Sequence, residues 1–342
     1  MAKKQEAAQP AAAAQEITAP VSILDQIVEK GRLARDPQQR QWGKSLVSEF
    51  VNQILQGEMT VSPDIEVMIN QRIAQIDHLL SLQLNTILHH PEFQQLEATW
   101  RGLRYLLEQS ETGVGLKIKV LNVSKKEMLR DLQRVPEFDQ SQMFKKVYEE
   151  EFGVFGGEPF AALVADYYFG KGPEDVELLE RISQVAAAAH APFIAGTSPD
   201  MFNLEEFTQL DQPRDLAKVF DTSEYAKWKG FRQTDDSRYV CLTMPRVLMR
   251  VPYGRNNKPV DAFNYEEDVD GMTHEKYLWG NAAFALGARM TNAFARYGWC
   301  AAIRGVEGGG LVDNLPVYNF ATDDGDVTMK CPTETIITDR RE

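Results

Sequence analysis

The large apolar residues in the first third of this chain recur at three- and four-residue steps, the spacing of one face of an α-helix. The clearest run is Phe93, Leu96, Trp100, Leu103 and Leu107, which predicts an amphipathic helix opening near Glu92. Ahead of it, Ser62-Pro63-Asp64 supplies a capping residue and a first-turn proline. Ile65, Ile69, Ile73, Ile76 and Leu80 then carry a long helix toward His89-His90-Pro91. Before that, a polar stretch containing Pro37 leads into a second amphipathic piece, Leu46, Val47, Phe50, Val51, Ile54 and Leu55, ending at Gly57. Nearer the N-terminus, Ser22 can cap a helix of two turns or so and Asp25 sits in its positive first turn. Ile23, Leu24, Ile27 and Val28 form its single apolar stripe before Gly31. An isolated helix shorter than ~12 to 15 residues is not stable alone, so this stripe should fold when something covers it. Residues 1–19 are mostly Ala, Gln and Pro, too poor in large apolar groups to offset the entropy of ordering, and read as a disordered tail.

Beyond residue 110 the pattern shifts between periods. Leu116-Lys-Ile118-Lys-Val120 alternates as a strand does, and Ser124-Lys-Lys-Glu127 is a capping box that opens a helix. Strands follow over 160–166, 193–195 and 239–243, separated by a helix over 173–189. A helix over 277–296 then leads to strands over 299–303, 327–330 and 334–338. Strands interleaved with helices predict an α/β fold, a mixed sheet with covering helices, preceded by a helical N-terminal region. The organisation expected is a tail over 1–19, short amphipathic helices and linker over 20–61, and one large domain over 62–342.

Charge narrows the partners. The 342 residues carry 50 acidic and 37 basic side chains, a formal net charge of −13 that repels phosphate backbones and anionic lipid. Nucleic acid is therefore not an expected partner. No apolar run approaches the ~20 residues needed to span a bilayer, and Met1-Ala-Lys3-Lys4 leads into Ala, Gln and Pro rather than an apolar signal segment. No membrane insertion is expected, and the expected location is the cytoplasm. Cys241, Cys300 and Cys331 are odd in number and far apart, so they read as reduced thiols with no disulfide or zinc framework.

Candidate chemistry is sparse, and no catalytic, metal or cofactor site is expected. Trp42-Gly43-Lys44-Ser45 resembles the end of a phosphate loop, but Gln38 stands where the first glycine belongs and no strand precedes it. Gly305-Val-Glu307-Gly308-Gly309-Gly310 lacks the dinucleotide-loop spacing and reads as a tight turn. Glu266, Glu267, Asp268 and Asp270 match no calcium-loop template and read as a solvated acidic loop, and Asp323-Asp324-Gly325-Asp326 reads as a turn. His274-Glu275 has Leu278 where a helical zinc site needs a second histidine. His89 and His90 suit a helix end, and His78 and His190 have no evident nucleophile partner. Pro245-Arg246 and Pro252-Tyr253-Gly254 read as turns punctuating an apolar run, with no chemistry assigned.

Longer blocks are more specific. The segment around Trp100 resembles the TssC (VipB/EvpB) family, the large subunit of the contractile sheath of bacterial type VI secretion systems. So do Leu248-Met-Arg250-Val-Pro252-Tyr253-Gly254, Ser183-Gln-Val-Ala-Ala-Ala-Ala-His190-Ala-Pro192-Phe193-Ile194, Trp279-Gly280-Asn281-Ala-Ala-Phe284, and Tyr297-Gly298-Trp299-Cys300-Ala-Ala-Ile303-Arg304-Gly305 with Glu307 and Gly310. The resemblance implies a contractile tail-sheath-like fold and a structural role rather than an enzymatic one. In the family, the small subunit TssB pairs with this subunit, the pairs polymerise as a helical tube around the Hcp inner tube on a baseplate, and contraction propels that tube. The family also implies that the helix bearing Ile23, Leu24, Ile27 and Val28 is the recognition segment for the AAA+ unfoldase ClpV, and that Phe93, Leu96, Trp100, Leu103 and Leu107 serve the protomer core or the TssB contact. The family's subunit continues past the motif at 336–342, so the resemblance implies an N-terminal portion without the inner-sheath part. The other readings are a sheath protein of another phage-tail-like injection device and a metal-dependent α/β enzyme using the acidic loop.

Overall fold

A computed structural model describes residues 36–55, 65–211, 216–271, 273–321 and 325–337. The chain divides into two compact units, Met1–Ile76 and Asp77–Glu342. In the first unit, helix α1 (Pro37–Leu55) begins at the proline, whose fixed φ and missing N–H suit a first helical position. The polar stretch predicted to precede the second amphipathic piece is thus part of the same helix. Arg72 Nη2 donates to Gln53 Oε1 at 2.7 Å, tying α1 to the start of α2 (Ile65–Leu88). The stripe Ile23, Leu24, Ile27 and Val28 and the tail over 1–19 lie outside the described residues.

In the second unit, α2 gives way at His90 and Pro91 to α3 (Pro91–Glu108), with proline again in the first turn. Helix α4 (Lys125–Arg134) opens on the predicted capping box: Glu127 N donates to Ser124 Oγ, and Ser124 N donates to Glu127 Oε2 at 2.9 Å. Three parallel strands follow in the order β1-β2-β3: β1 (Leu163–Phe169), β2 (Phe193–Thr197) and β3 (Val240–Thr243). Helix α5 (Pro173–Ala188) makes the crossover from β1 to β2 that parallel strands require. After β3 come a short helix-free crossing and the antiparallel pair β4 (Val247–Leu248) with β5 (Trp279–Gly280). Before β3 lies α6 (Ala226–Arg232), and after β5 lies α7 (Ala283–Tyr297).

The two-residue period of the strands separates the sheet's faces. Leu163, Ala165, Tyr167 and Phe169 of β1, Phe193 and Ala195 of β2, and Val240 and Leu242 of β3 all join one cluster, built on Leu179, Ile182 and Val185 of α5. Val164, on the other side, packs in a second cluster with Leu106 of α3 and with Phe284 and Ala288 of α7. Helices therefore cover both faces of the sheet, in line with the expected α/β class.

Several expected elements differ. Residues 116–120 form no strand and have no ladder partner; Lys117 pairs with Glu158 and Lys119 with Glu151. The helix expected from 277 starts at Ala283, because Trp279 and Gly280 pair with β4, and Asn281 Oδ1 accepts from Ala283 N at 2.9 Å. It ends at Gly298, which takes the left-handed φ of 76° that glycine tolerates. Residues 299–303 form no strand. Of the strand expected over 334–338, residues 334–337 form no strand and 338 lies outside the described residues; the neighbouring Thr333 makes a single antiparallel bridge with Val247. The strand at 327–330 is found as β7 (Val327–Lys330), in an antiparallel ladder with β6 (Tyr318–Ala321), for which the sequence reading had no strand.

Candidate assembly surface and its buried ion pairs

Helix α3 has two apolar sides. The inner one is made by Ala98, Gly102 and Leu106, with Leu103 and Tyr105 at its margin, packed against α7. Gly102 is needed there: a Cβ at this position would stand 2.3 Å from Phe284 Cδ2. The heptad-like stripe is turned away from this contact. Leu96 is 55% exposed, Trp100 65% and Leu107 44%, whereas Phe93 and Leu103 are half-buried. Of the five residues expected to serve the core or a partner, three thus present their apolar groups to solvent. Leu79, Leu80, Leu82 and Ile87 on the neighbouring turns of α2 are exposed as well. Both helices thus carry exposed large apolar groups among the described residues.

Beneath this surface the loop after β4 is held by charge. Arg250 and Glu267 are both buried, and the guanidinium grips the carboxylate with two bonds, Nη1 to Oε2 at 2.5 Å and Nη2 to Oε1 at 2.9 Å. Glu267 Oε2 also accepts from Tyr253 N at 2.8 Å, and Oε1 lies 3.3 Å from His89 Nε2. On the other side, Arg250 Nε is 2.9 Å from Glu97 Oε1 of α3, an ion pair whose angle makes no hydrogen bond. Arg101 Nε completes the chain of alternating charges at 2.7 Å from the same Glu97 oxygen. Burial would raise the Glu267 pKa, but Arg250, the Tyr253 amide and His89 outweigh it and hold the carboxyl below its ordinary range. The acidic loop is therefore not simply solvated. Glu267 is interior, Asp268 pairs with Lys276 at 2.8 Å, and Asp270 accepts from Thr273 N at 2.7 Å.

A second buried network closes the other end of β4. Glu334 accepts two bonds from Arg246, one of them from Nε at 2.7 Å, and lies 2.8 Å from His274 Nε2. The His274 ring stacks on Trp279, centroids 4.7 Å apart, and Trp279 Nε1 donates to His274 O at 2.9 Å. His274 Nδ1 is buried without a partner among the described residues, so its contact with the carboxylate is made through Nε2. Leu248 N to Pro332 O at 2.8 Å and Glu334 N to Arg246 O at 2.9 Å add the segment around Thr333 to the edge of β4. Burial opposes ionisation of Glu334, yet His274 and Arg246 hold its pKa below the ordinary value. Sequence reasoning took Arg246 and Pro252-Tyr253-Gly254 as parts of turns, gave Arg250 no role, and missed both networks. The available signal was an arginine at each end of the apolar run 247–249, since a cation beside a buried strand demands an anion.

The remaining candidates resolve simply. Trp42, Gly43, Lys44 and Ser45 lie inside α1, where the backbone N–H groups are engaged in the helix and cannot cradle phosphate. The glycine loop is tight: Gly305 and Gly309 have φ of 69° and 85°, and a Cβ at Gly309 would stand 2.4 Å from Ala302 O. Cys241 and Cys331 are half-buried, Cys300 is exposed, and all three are free thiols. Among the described residues no helix is long and apolar enough to cross a membrane, and no three His, Cys, Asp or Glu side chains converge as a metal site.

Comparison with known proteins places this architecture. Residues 70–342 match the tail sheath N-terminal domain of the EvpB/VC_A0108 (VipB) family. The chain is also 48% identical over 301 residues to the Type VI secretion system sheath protein TssC1 of Pseudomonas aeruginosa, an alignment covering 87% of this chain and 60% of that protein. The alignment thus covers less than two thirds of that relative's length.

Proposed function

Since this chain belongs to the EvpB/VC_A0108 tail sheath family, we propose that it acts as a structural subunit of the type VI secretion contractile sheath. In this reading free energy is stored in subunit contacts and released by repacking, and no covalent bond is made or broken by the subunit. The observation that carries it is the conjunction of the family match with the exposed apolar stripe of α3. The stripe's occupant is the small subunit TssB, docking a helix along Leu96, Trp100 and Leu107, and the resulting pairs polymerise around the Hcp tube on the baseplate in the bacterial cytoplasm. A helix laid against anchors at turn spacing is a recurring recognition mode, and these three residues stand one and two turns apart. After contraction, ClpV recycles the sheath by gripping the segment with Ile23, Leu24, Ile27 and Val28.

Coexpression with TssB tests the pairing. Trp100→Glu and Leu96→Asp, both at exposed positions, should leave the circular dichroism and melting of the subunit unchanged while abolishing the soluble TssB complex. A complex of undiminished yield with both variants sinks the proposed contact. The ClpV step is tested by titrating a labelled peptide over 18–34 into the ClpV N-terminal domain. Leu24→Asp and Ile27→Asp should each weaken binding at least roughly tenfold, as loss of a buried anchor does, and unaltered affinity would exclude these anchors.

A further inference from the structure

A cavity of about 570 Å³ opens at the carboxyl ends of β2 and β3, walled by Thr197, Phe202, Phe220, Trp228, Leu242 and Met244. In open parallel sheets this end is where ligands settle. The walls are apolar and largely aromatic, and two cations stand among them. Lys229 is held by Asp221 at 2.9 Å, whereas the Arg232 guanidinium lies over the Trp228 ring at 5.9 Å with no carboxylate partner among the described residues.

The loop that leads into β1, at the opposite end of the same parallel strands, carries an exposed aromatic tip. The loop that feeds β1 reads Glu149-Glu150-Glu151-Phe152-Gly153-Val154-Phe155-Gly156-Gly157-Glu158, and at its tip the Phe155 side chain is fully exposed, flanked by exposed Val154. The tip is built rather than loose. Gly156 takes a φ of 83°, and a Cβ at Gly157 would stand 2.1 Å from Glu151 O, so the backbone folds back tightly behind Phe155. Lys119 on Glu151 and Lys117 on Glu158 brace its base. Glu149 and Glu150 are exposed and have no cation among the described residues.

We propose that Phe155 of one copy inserts into the Phe202–Trp228 cavity of a second copy, with Glu149 and Glu150 meeting Arg232. Three features select a second copy as occupant. The cavity accepts an aromatic side chain, the acidic run complements its unpaired cation, and because parallel strands put knob and socket at opposite ends of the sheet, they do not meet within one chain. Such a contact is head-to-tail. Heterologous contacts of this kind build rings or open helical arrays rather than closed dimers, and in the helical setting of the sheath reading above, on which this inference rests, the open array is the outcome.

The test uses the chain copurified with TssB and a fluorescent peptide over 147–159. Saturable binding is expected, weakened roughly ten- to thirtyfold by Phe155→Ala in the peptide, the size of a lost interface hot spot. Arg232→Glu in the chain, at an exposed position, should weaken it too, and a peptide carrying Glu149→Lys and Glu150→Lys should restore binding to that variant. No binding, or binding indifferent to Phe155→Ala, overturns the proposal. So does displacement of the peptide by added TssB, which would assign the socket to the small subunit. The sheath reading is read out separately by whether the TssB complex forms at all: a complex that ignores the peptide overturns only the socket.

Discussion

Replacing Arg250 by methionine keeps an unbranched apolar stem and removes the cation that Glu267 and Glu97 share. Glu97 retains Arg101, so its loss is small. Glu267 is the costly partner: 1% of its side chain is exposed, and it would keep only the Tyr253 amide and His89. Stranding one member of a buried pair typically costs about 3 to 5 kcal/mol. Here solvent protons impose a ceiling. Neutralising a carboxyl of ordinary pKa 4.5 at pH 7 takes roughly 3.4 kcal/mol, so the stranded charge of Glu267 can add no more than that to the loss of its native stabilisation. At pH 5 the same step takes only about 0.7 kcal/mol, and the variant's deficit should shrink. The sign is opposite in the native protein, whose depressed Glu267 pKa contributes stability that is lost as pH falls. Urea unfolding at pH 7 and pH 5, with midpoint and slope fitted together, measures both. Arg250→Met combined with Glu267→Leu removes both charges and should recover most of the loss. A deficit under about 1 kcal/mol at pH 7, a deficit unchanged at pH 5, or a double variant as weak as the single would refute the buried-pair argument.

Two further perturbations follow from the same geometry. Gly102→Ala should gain about 1 kcal/mol of helix propensity and still destabilise the protein by about 1 to 3 kcal/mol net, because its methyl enters the space of the Phe284 ring; thermal melting at or above the native midpoint would contradict this. Both Glu267 and Glu334 have lowered pKa values, so their stabilisation is fully present above about pH 4.5 and is lost as pH falls through their folded values. Acid titration of the unfolding free energy should therefore steepen below about pH 4.5, and His274→Gln should weaken the fall attributable to Glu334. An unchanged acid limb in that variant would remove His274 from the network.

Local elements were legible in the chain because their causes are local. The Ser124–Glu127 box, the proline-led starts of α3 and α5, and strands β2 and β3 each depend on residues within a few positions of one another, and all were found close to where they were expected. Spacing likewise revealed that α3 has an apolar stripe. It could not tell which way the stripe faces, because the small side Ala98-Gly102-Leu106 competes for the core and wins through the close approach of Phe284, a residue supplied by α7. Charge partners were equally out of reach. Arg250 and Glu267 are 17 residues apart, Arg246 and Glu334 are 88 apart, and neither spacing is a periodicity. A strand needs its neighbour as well as its pattern: 116–120 alternates but meets no edge, while the short β5 exists because Val247 and Leu248 lie beside it. Residue order thus settled helices, caps and family. Only chain folding decided which apolar face stays open and which carboxylates go inside, since both depend on groups brought together from distant parts of the chain.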